Sequence, residues 1–177
     1  MLESAKPKSI RALIGIMMAE EYWQAKIFQL NAVDGLLGSL DRANIVTTNG
    51  CFDVFHFGHL MSLYKASQFA SFFIVGLNSD ASVRRLKGVD RPVCNQFQRS
   101  AIIAALPFVD AVVIFDEDTP VEFLRQVRPR FHCKGEDYRN IANEIPESAL
   151  LKEWGGKLEF IPLEQDLSTT KIVEKFK

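Results

Sequence analysis

Thr47-Thr48-Asn49-Gly50-Cys51-Phe52-Asp53-Val54-Phe55-His56-Phe57-Gly58-His59 is the stretch that decides the fold. A β-branched run, Ile45 to Thr48, leads into it, and an apolar stretch of helical period opens at about His59, so it reads as the loop of a strand–loop–helix unit. Gly58 lets the backbone come close to a ligand, and the unpaired amides at the helix start form an anion site that suits a phosphate. His56 and His59 lie three residues apart and share one side of the helix start, where both imidazoles can donate to oxygens of a single phosphate. A His-x-x-His pair is equally at home on a surface or half-buried. Cys51, Asp53, His56 and His59 are also the residue types of a zinc site, but no second ligand cluster accompanies them.

Outward from this loop the period keeps switching. Short, two-sided apolar runs at Ile45 to Thr48, Phe72 to Leu77, Ala111 to Phe115, Phe131 to Lys134 and Leu158 to Pro162 read as buried parallel strands. Helices lie between them. Thr119, Pro120 and Glu122 predict a capped helix running to about Val127, which Arg128-Pro129 stops. Asn95 with Gln98 predicts a second capping box, and Gly155-Gly156 closes a helix that starts near Pro146. Right-handed crossovers make this an α/β, Rossmann-like open parallel sheet with helices on both faces and a ligand crevice at the carboxyl ends of the strands. The segments Asn49 to Gly58, Asn78 to Asp80, Asp116 to Thr119, Gly135 to Tyr138 and Gln165 to Thr170 gather polar chemistry at that rim. Ile16, Trp23, Ile27 and Leu30 fall at helical spacing before Gly35 and Gly38. They predict a helical extension over residues 1–43, packed on a domain over residues 44–177 or on a second subunit.

Composition excludes several classes. With 177 residues, 21 Lys+Arg against 22 Asp+Glu and a net charge of −1, no whole-molecule field attracts nucleic acid or an anionic membrane. No window reaches the roughly 18 apolar residues of a membrane span. Cys51, Cys94 and Cys133 form no CxxC pair, which fits a reducing cytoplasm better than a disulfide framework. There is no G-x-S-x-G elbow, P-loop or G-x-G-x-x-G fingerprint.

The run from Thr48 to His59, ending His56-Phe57-Gly58-His59, resembles the HxGH signature of the nucleotidyltransferase superfamily that includes cytidylyltransferases and adenylyltransferases. Asn78 to Val83, Arg85 to Gly88, Arg91-Pro92-Val93, Asp116 to Pro120, Lys134-Gly135 with Asp137-Tyr138, and Ser168-Thr169-Thr170 follow in order. Together they are similar to the D-glycero-β-D-manno-heptose 1-phosphate adenylyltransferases from about Ile45 to Lys177. The resemblance implies transfer of AMP from ATP to a sugar 1-phosphate with release of pyrophosphate. It places His56, His59 and Lys87 on the phosphates, with the Ser168 to Thr170 run as the other phosphate-binding element and Arg99 among the nucleotide-binding residues, where similar enzymes place an arginine. Thr48, Asn49, Gly50, Phe52, Gly58, Asn78, Asp80, Arg91, Lys134, Gly135, Asp137 and Tyr138 complete the implied nucleotide and sugar surface. Mg²⁺ is expected with the polyphosphate, with Asp53 as a candidate for a water-mediated contact or, equally, a loop cap. The implied partners are small molecules, with neither nucleic acid nor membrane, and a second copy in a homodimer.

Lys87 and Arg99 also read as solvated charges, and Ser168 as a helix cap. Two departures stand out. Glu136 occupies a place where the family shows glycine, and Gln165-Asp166-Leu167 replaces a stretch that holds one. Both bear on acceptor identity. A cytidylyltransferase acting on glycerol 3-phosphate or a phospho-alcohol, and a catalytically silent nucleotide-binding protein, are the other readings.

Overall fold

A computed structural model describes residues 22–38 and 40–162. Six strands, β1 (Ile27–Gln29), β2 (Ile45–Gly50), β3 (Phe72–Asn78), β4 (Ala111–Phe115), β5 (Phe131–Gly135) and β6 (Lys157–Ile161), form one sheet in the order β1-β4-β3-β2-β5-β6. Every pairing is parallel. The helices are α1 (Val33–Leu37), α2 (Phe57–Ser67), α3 (Asp80–Lys87), α4 (Gln96–Ala104), α5 (Val121–Val127) and α6 (Pro146–Lys152).

Successive residues of a strand face opposite ways, which divides the apolar runs between two cores. Val46, Phe73, Val75 and Val112 pack with Leu63 of α2 and Ile103 of α4 on one face. Ile45, Ile74, Val113 and Phe115 pack with Leu37 of α1, Phe123 and Leu124 of α5 and Leu150 of α6 on the other. Helices on both faces explain why these strands are apolar on both sides. Gly76 of β3 admits the Phe123 ring so closely that a Cβ there would lie 2.9 Å from it.

From β2 the chain winds through β3 to β4 on one side and then crosses back to β5 on the other. The carboxyl ends of β2 and β5 are therefore the switch point, where an open α/β sheet forms its ligand crevice.

The capping box of α4 forms as expected: Asn95 Oδ1 accepts from the Gln98 amide at 3.0 Å and Gln98 Oε1 from the Asn95 amide at 3.1 Å. The expected box at Thr119 does not. Helix α5 begins one residue later with Pro120 at the N-cap and no side-chain cap, and it ends in left-handed Arg128 at φ 47°. The larger correction lies upstream. Over Trp23, Ile27 and Leu30 the chain forms a short 3₁₀ turn and β1 rather than an amphipathic helix, and Ile16 lies outside the described residues. The exposed edge of β4 needs partners for its amides and carbonyls, and β1 supplies them with Ile27 opposite Val112. Lys26 Nζ donates to the Val109 carbonyl at 2.8 Å and Tyr22 to the Ala105 carbonyl at 2.8 Å, holding the segment down. Gly35 sits inside α1, and Gly38 caps it. Among the described residues no helix is long and apolar enough to cross a membrane.

Candidate active site

Strand β2 ends at Gly50, and the following loop turns sharply, with Phe52 at φ 48° and Val54 at φ 53°. For a β-branched residue such as Val54 the left-handed region costs on the order of 1–3 kcal/mol and persists only where neighbours hold it. Two residues do so. The buried Asp53 carboxylate accepts from Arg91 Nη1 at 2.6 Å and from the amides of Val93 and Cys94 at 3.0 Å. Burial pushes its carboxyl up, but those amides and the guanidinium outweigh burial and hold it below the usual range. Arg99, only 1% exposed, donates to the carbonyls of Cys94, Cys51 and Asn78 at 2.9, 2.6 and 2.9 Å and to Asp80 Oδ1 at 2.8 Å.

The two histidines are brought together. His56 occupies the N-cap of α2 without a side-chain cap bond, and its ring stacks on that of His59 with centroids 3.8 Å apart and planes at 23°. Phe52 meets the His59 ring edge-on at 5.4 Å and Phe55 lies 5.7 Å away. The Nδ1 atoms of both histidines are buried and have no hydrogen-bond partner among the described residues. Burial lowers His56, and burial with the neighbouring His56 lowers His59 to about 4. Both rings are neutral at pH 7. Buried polar atoms are normally satisfied, so this pair, beside the amide-bearing start of an 11-residue helix, fits an anionic ligand.

A cleft of about 650 Å³ opens at the switch point. Of the residues expected from sequence, Thr48, Asn49, Gly50, Phe52, His59, Asn78, Lys87, Arg91, Lys134, Gly135, Asp137 and Tyr138 line it. His56 stacks behind His59, and Gly58 is buried in the first turn of α2. Asp80 lines a separate concavity with Arg84 and Asp116, and Arg99 lies beneath the surface tying loops together. Ser168, Thr169 and Thr170, with Asp166, lie outside the described residues. Glu136 is removed from the cleft: Arg139 Nη2 donates to its Oε2 at 3.0 Å, and the pair is solvent-exposed.

Glu147, unmarked in the sequence, also lines the cleft. From the first turn of α6 it reaches Lys134 Nζ at 2.7 Å. Lys134 Nζ also donates to Asn49 Oδ1 at 3.2 Å and lies 4.8 Å from the centre of the Tyr138 ring. A 3₁₀ segment over Glu136–Ile141, a turn and a helix start separate residues 134 and 147, and no local pattern announces such a pair. For a metal the fit is poor. Among the described residues no three ligating side chains converge, and Asp53 is committed to Arg91 and two amides.

A doubly wound parallel sheet with a His-x-Gly-His helix start at its switch point defines the HxGH nucleotidyltransferase class. Within it, the chain belongs to the cytidylyltransferase-like family, whose model matches residues 47–175. It is 50% identical over 133 residues to the bifunctional protein HldE of Campylobacter jejuni, covering 75% of this chain and 28% of that protein. To the bifunctional protein HldE of Geobacter sulfurreducens it is 39% identical over 177 residues, covering 97% of this chain and 35% of that one. The chain thus spans about a third or less of the length of these curated relatives. The fold is shared with a lipopolysaccharide core biosynthesis protein from Thermoplasma volcanium, with TM-score 0.54, 19% identity and coverage of 68% of this chain and 95% of that one. It is shared too with the pantoate-beta-alanine ligase of Francisella tularensis, with TM-score 0.57, 16% identity and coverage of 83% and 75%.

Proposed function

We propose that this chain is an adenylyltransferase that moves AMP from ATP to heptose 1-phosphate, the reaction its motif order resembles. The observation that carries the proposal is the stacked, neutral His56–His59 pair with buried, unpartnered Nδ1 atoms at the start of α2. A phosphate oxygen of the sugar phosphate attacks the α-phosphorus of ATP in line. The new P–O bond replaces the bond to the β-phosphate, whose electron pair leaves with pyrophosphate, and no covalent enzyme intermediate is needed. The protein's work is to bring two anions together and to stabilise the charge spread over the phosphorus oxygens. His59 and the α2 amides face that charge, Lys87 adds a mobile ammonium, and Arg91 is held in place by Asp53. Arg99 acts as a positioning residue. The described residues offer Mg²⁺ no ligand set of their own, so the ion would be held by the ATP phosphates and would supply charge neutralisation there.

We place this activity in the cytoplasm, where ATP is available, and in a homodimer whose mass sedimentation velocity on the full chain measures. Pyrophosphate release, with ATP and CTP each paired with heptose 1-phosphate and glycerol 3-phosphate, tests the reaction. Turnover with ATP and heptose 1-phosphate alone is the expected result. Turnover with CTP and glycerol 3-phosphate keeps the roles of the histidines and replaces the substrates, and silence with all four pairs overturns the proposal.

A further inference from the structure

The cleft has two chemically different flanks. Lys87 makes one of them cationic, with the neutral His59 ring and the Asp53-paired Arg91 beside it, and the charge of Lys87 is felt at both His59 and Cys51. On the β5 side stands an ion pair of zero net charge. The Lys134 and Glu147 side chains are 9% and 4% exposed and meet at 2.7 Å, with Asn49 Oδ1 3.2 Å from the ammonium. Desolvating two charges usually cancels their attraction, so such a pair is a poor device for stability alone. It is also a poor phosphate site, because an anion drawn to Lys134 meets the Glu147 carboxylate beside it.

What suits the pair is a ligand that donates to a carboxylate from one atom and accepts from an ammonium at the next. Neighbouring hydroxyls do this, since each carries one donor and two acceptor lone pairs. The Asn49 amide, on the same flank, adds a further donor and acceptor. We propose that Lys134, Glu147 and Asn49 form a subsite that reads a vicinal diol of a substrate sugar, with Glu147 as a specificity-determining residue. This rests on the proposed transfer between ATP and a sugar phosphate, in which the ribose and the acceptor each offer such a diol.

Two proteins test it: Glu147→Gln, and the double variant Lys134→Met with Glu147→Leu. The double variant removes both charges together and leaves none buried unpaired. Calorimetry measures the Kd of ATP and of 2′-deoxy-ATP, and steady-state assays measure KM for heptose 1-phosphate, with far-ultraviolet circular dichroism confirming the fold. Glu147→Gln is expected to weaken one substrate by about tenfold or more, with kcat the lesser change, and the double variant is expected to match it. Weakened ATP with 2′-deoxy-ATP bound equally by wild type and variant assigns the ribose. A raised KM for heptose 1-phosphate alone assigns the acceptor. Unchanged constants in both folded variants overturn the subsite, as does recovery of wild-type constants in the double variant, which is how a purely structural pair behaves. If the wild-type protein turns over no sugar phosphate, the proposed function fails separately. The two ATP titrations then decide, a flat response overturning the subsite and a tenfold loss upholding it.

Discussion

Two imidazoles stacked at 3.8 Å, each with a buried nitrogen awaiting a partner, are costly to keep unless a ligand uses them. In the free protein burial keeps His56 below its ordinary value and holds His59 near 4, so neither is charged at pH 7. A polyphosphate against the rings favours their protonated forms and raises both. Binding then takes up protons wherever the pH lies between the free and bound values, and in that range ATP affinity rises as the pH falls. Calorimetry in buffers of different ionisation enthalpy reads that uptake, and an enthalpy independent of buffer would remove the histidines from the phosphates. His59→Ala is expected to lower kcat by about 10²-fold with the fold intact, measured by pyrophosphate release. Arg99→Leu acts on stability instead. It strands Asp80 and three carbonyls and costs about 3 kcal/mol in urea denaturation, through a residue that resemblance alone placed on the nucleotide. The sequence made the histidines legible because they are local, three residues apart on one helix start. Asp53–Arg91 and Lys134–Glu147 join residues 38 and 13 positions apart, and only the fold brings them together.

Elements follow the same division between local and tertiary information. Strands β2 to β5 are visible in the sequence as largely buried apolar runs bounded by turn residues, and the half-buried edge strand β6 as a short apolar run after Gly155-Gly156. Strand β1 is not, since three residues are too few to show a period of two and the spacing of Trp23, Ile27 and Leu30 mimics a helix. Its conformation is imposed by the open edge of β4. Caps make a sharper contrast. Asn95 exchanges side-chain and backbone bonds with Gln98, whereas α5 starts on Pro120 without any side-chain cap. Asn95→Ala is expected to cost about 1 kcal/mol, and Thr119→Ala less than about 0.5 kcal/mol, in chemical denaturation. Equal losses would restore Thr119 to the capping role that the Thr-Pro-x-Glu pattern advertises.

At the scale of the whole molecule, burial of neutral histidines ties the fold to pH. His132 is wholly buried on β5, its Nδ1 2.8 Å from Thr47 Oγ1 and its Nε2 without a partner among the described residues. Burial, with the nearby charge of Lys134, drives it well below its ordinary value. His59 sits near 4 for similar reasons. In the unfolded chain both titrate near 6.5, so below that pH the unfolded state binds protons that the folded state refuses. Stability is therefore full above about pH 6.5 and falls as the pH drops, by at most about 1.4 kcal/mol per pH unit for each histidine, until the folded values are reached. Asp53 adds to acid lability in a lower window, because its depressed carboxyl loses Arg91 and two amides only when the pH falls through its folded value. The two windows separate the causes. Urea denaturation of the wild type at pH 7.5 and pH 5.0 samples the histidine window alone, and a clear loss is expected. His132→Asn places an amide where Nδ1 meets Thr47 and removes the titrating ring, so its loss between the same two pH values is expected to be smaller. An equal loss in the variant would assign the acid sensitivity to other groups and leave His132 as a packing residue only.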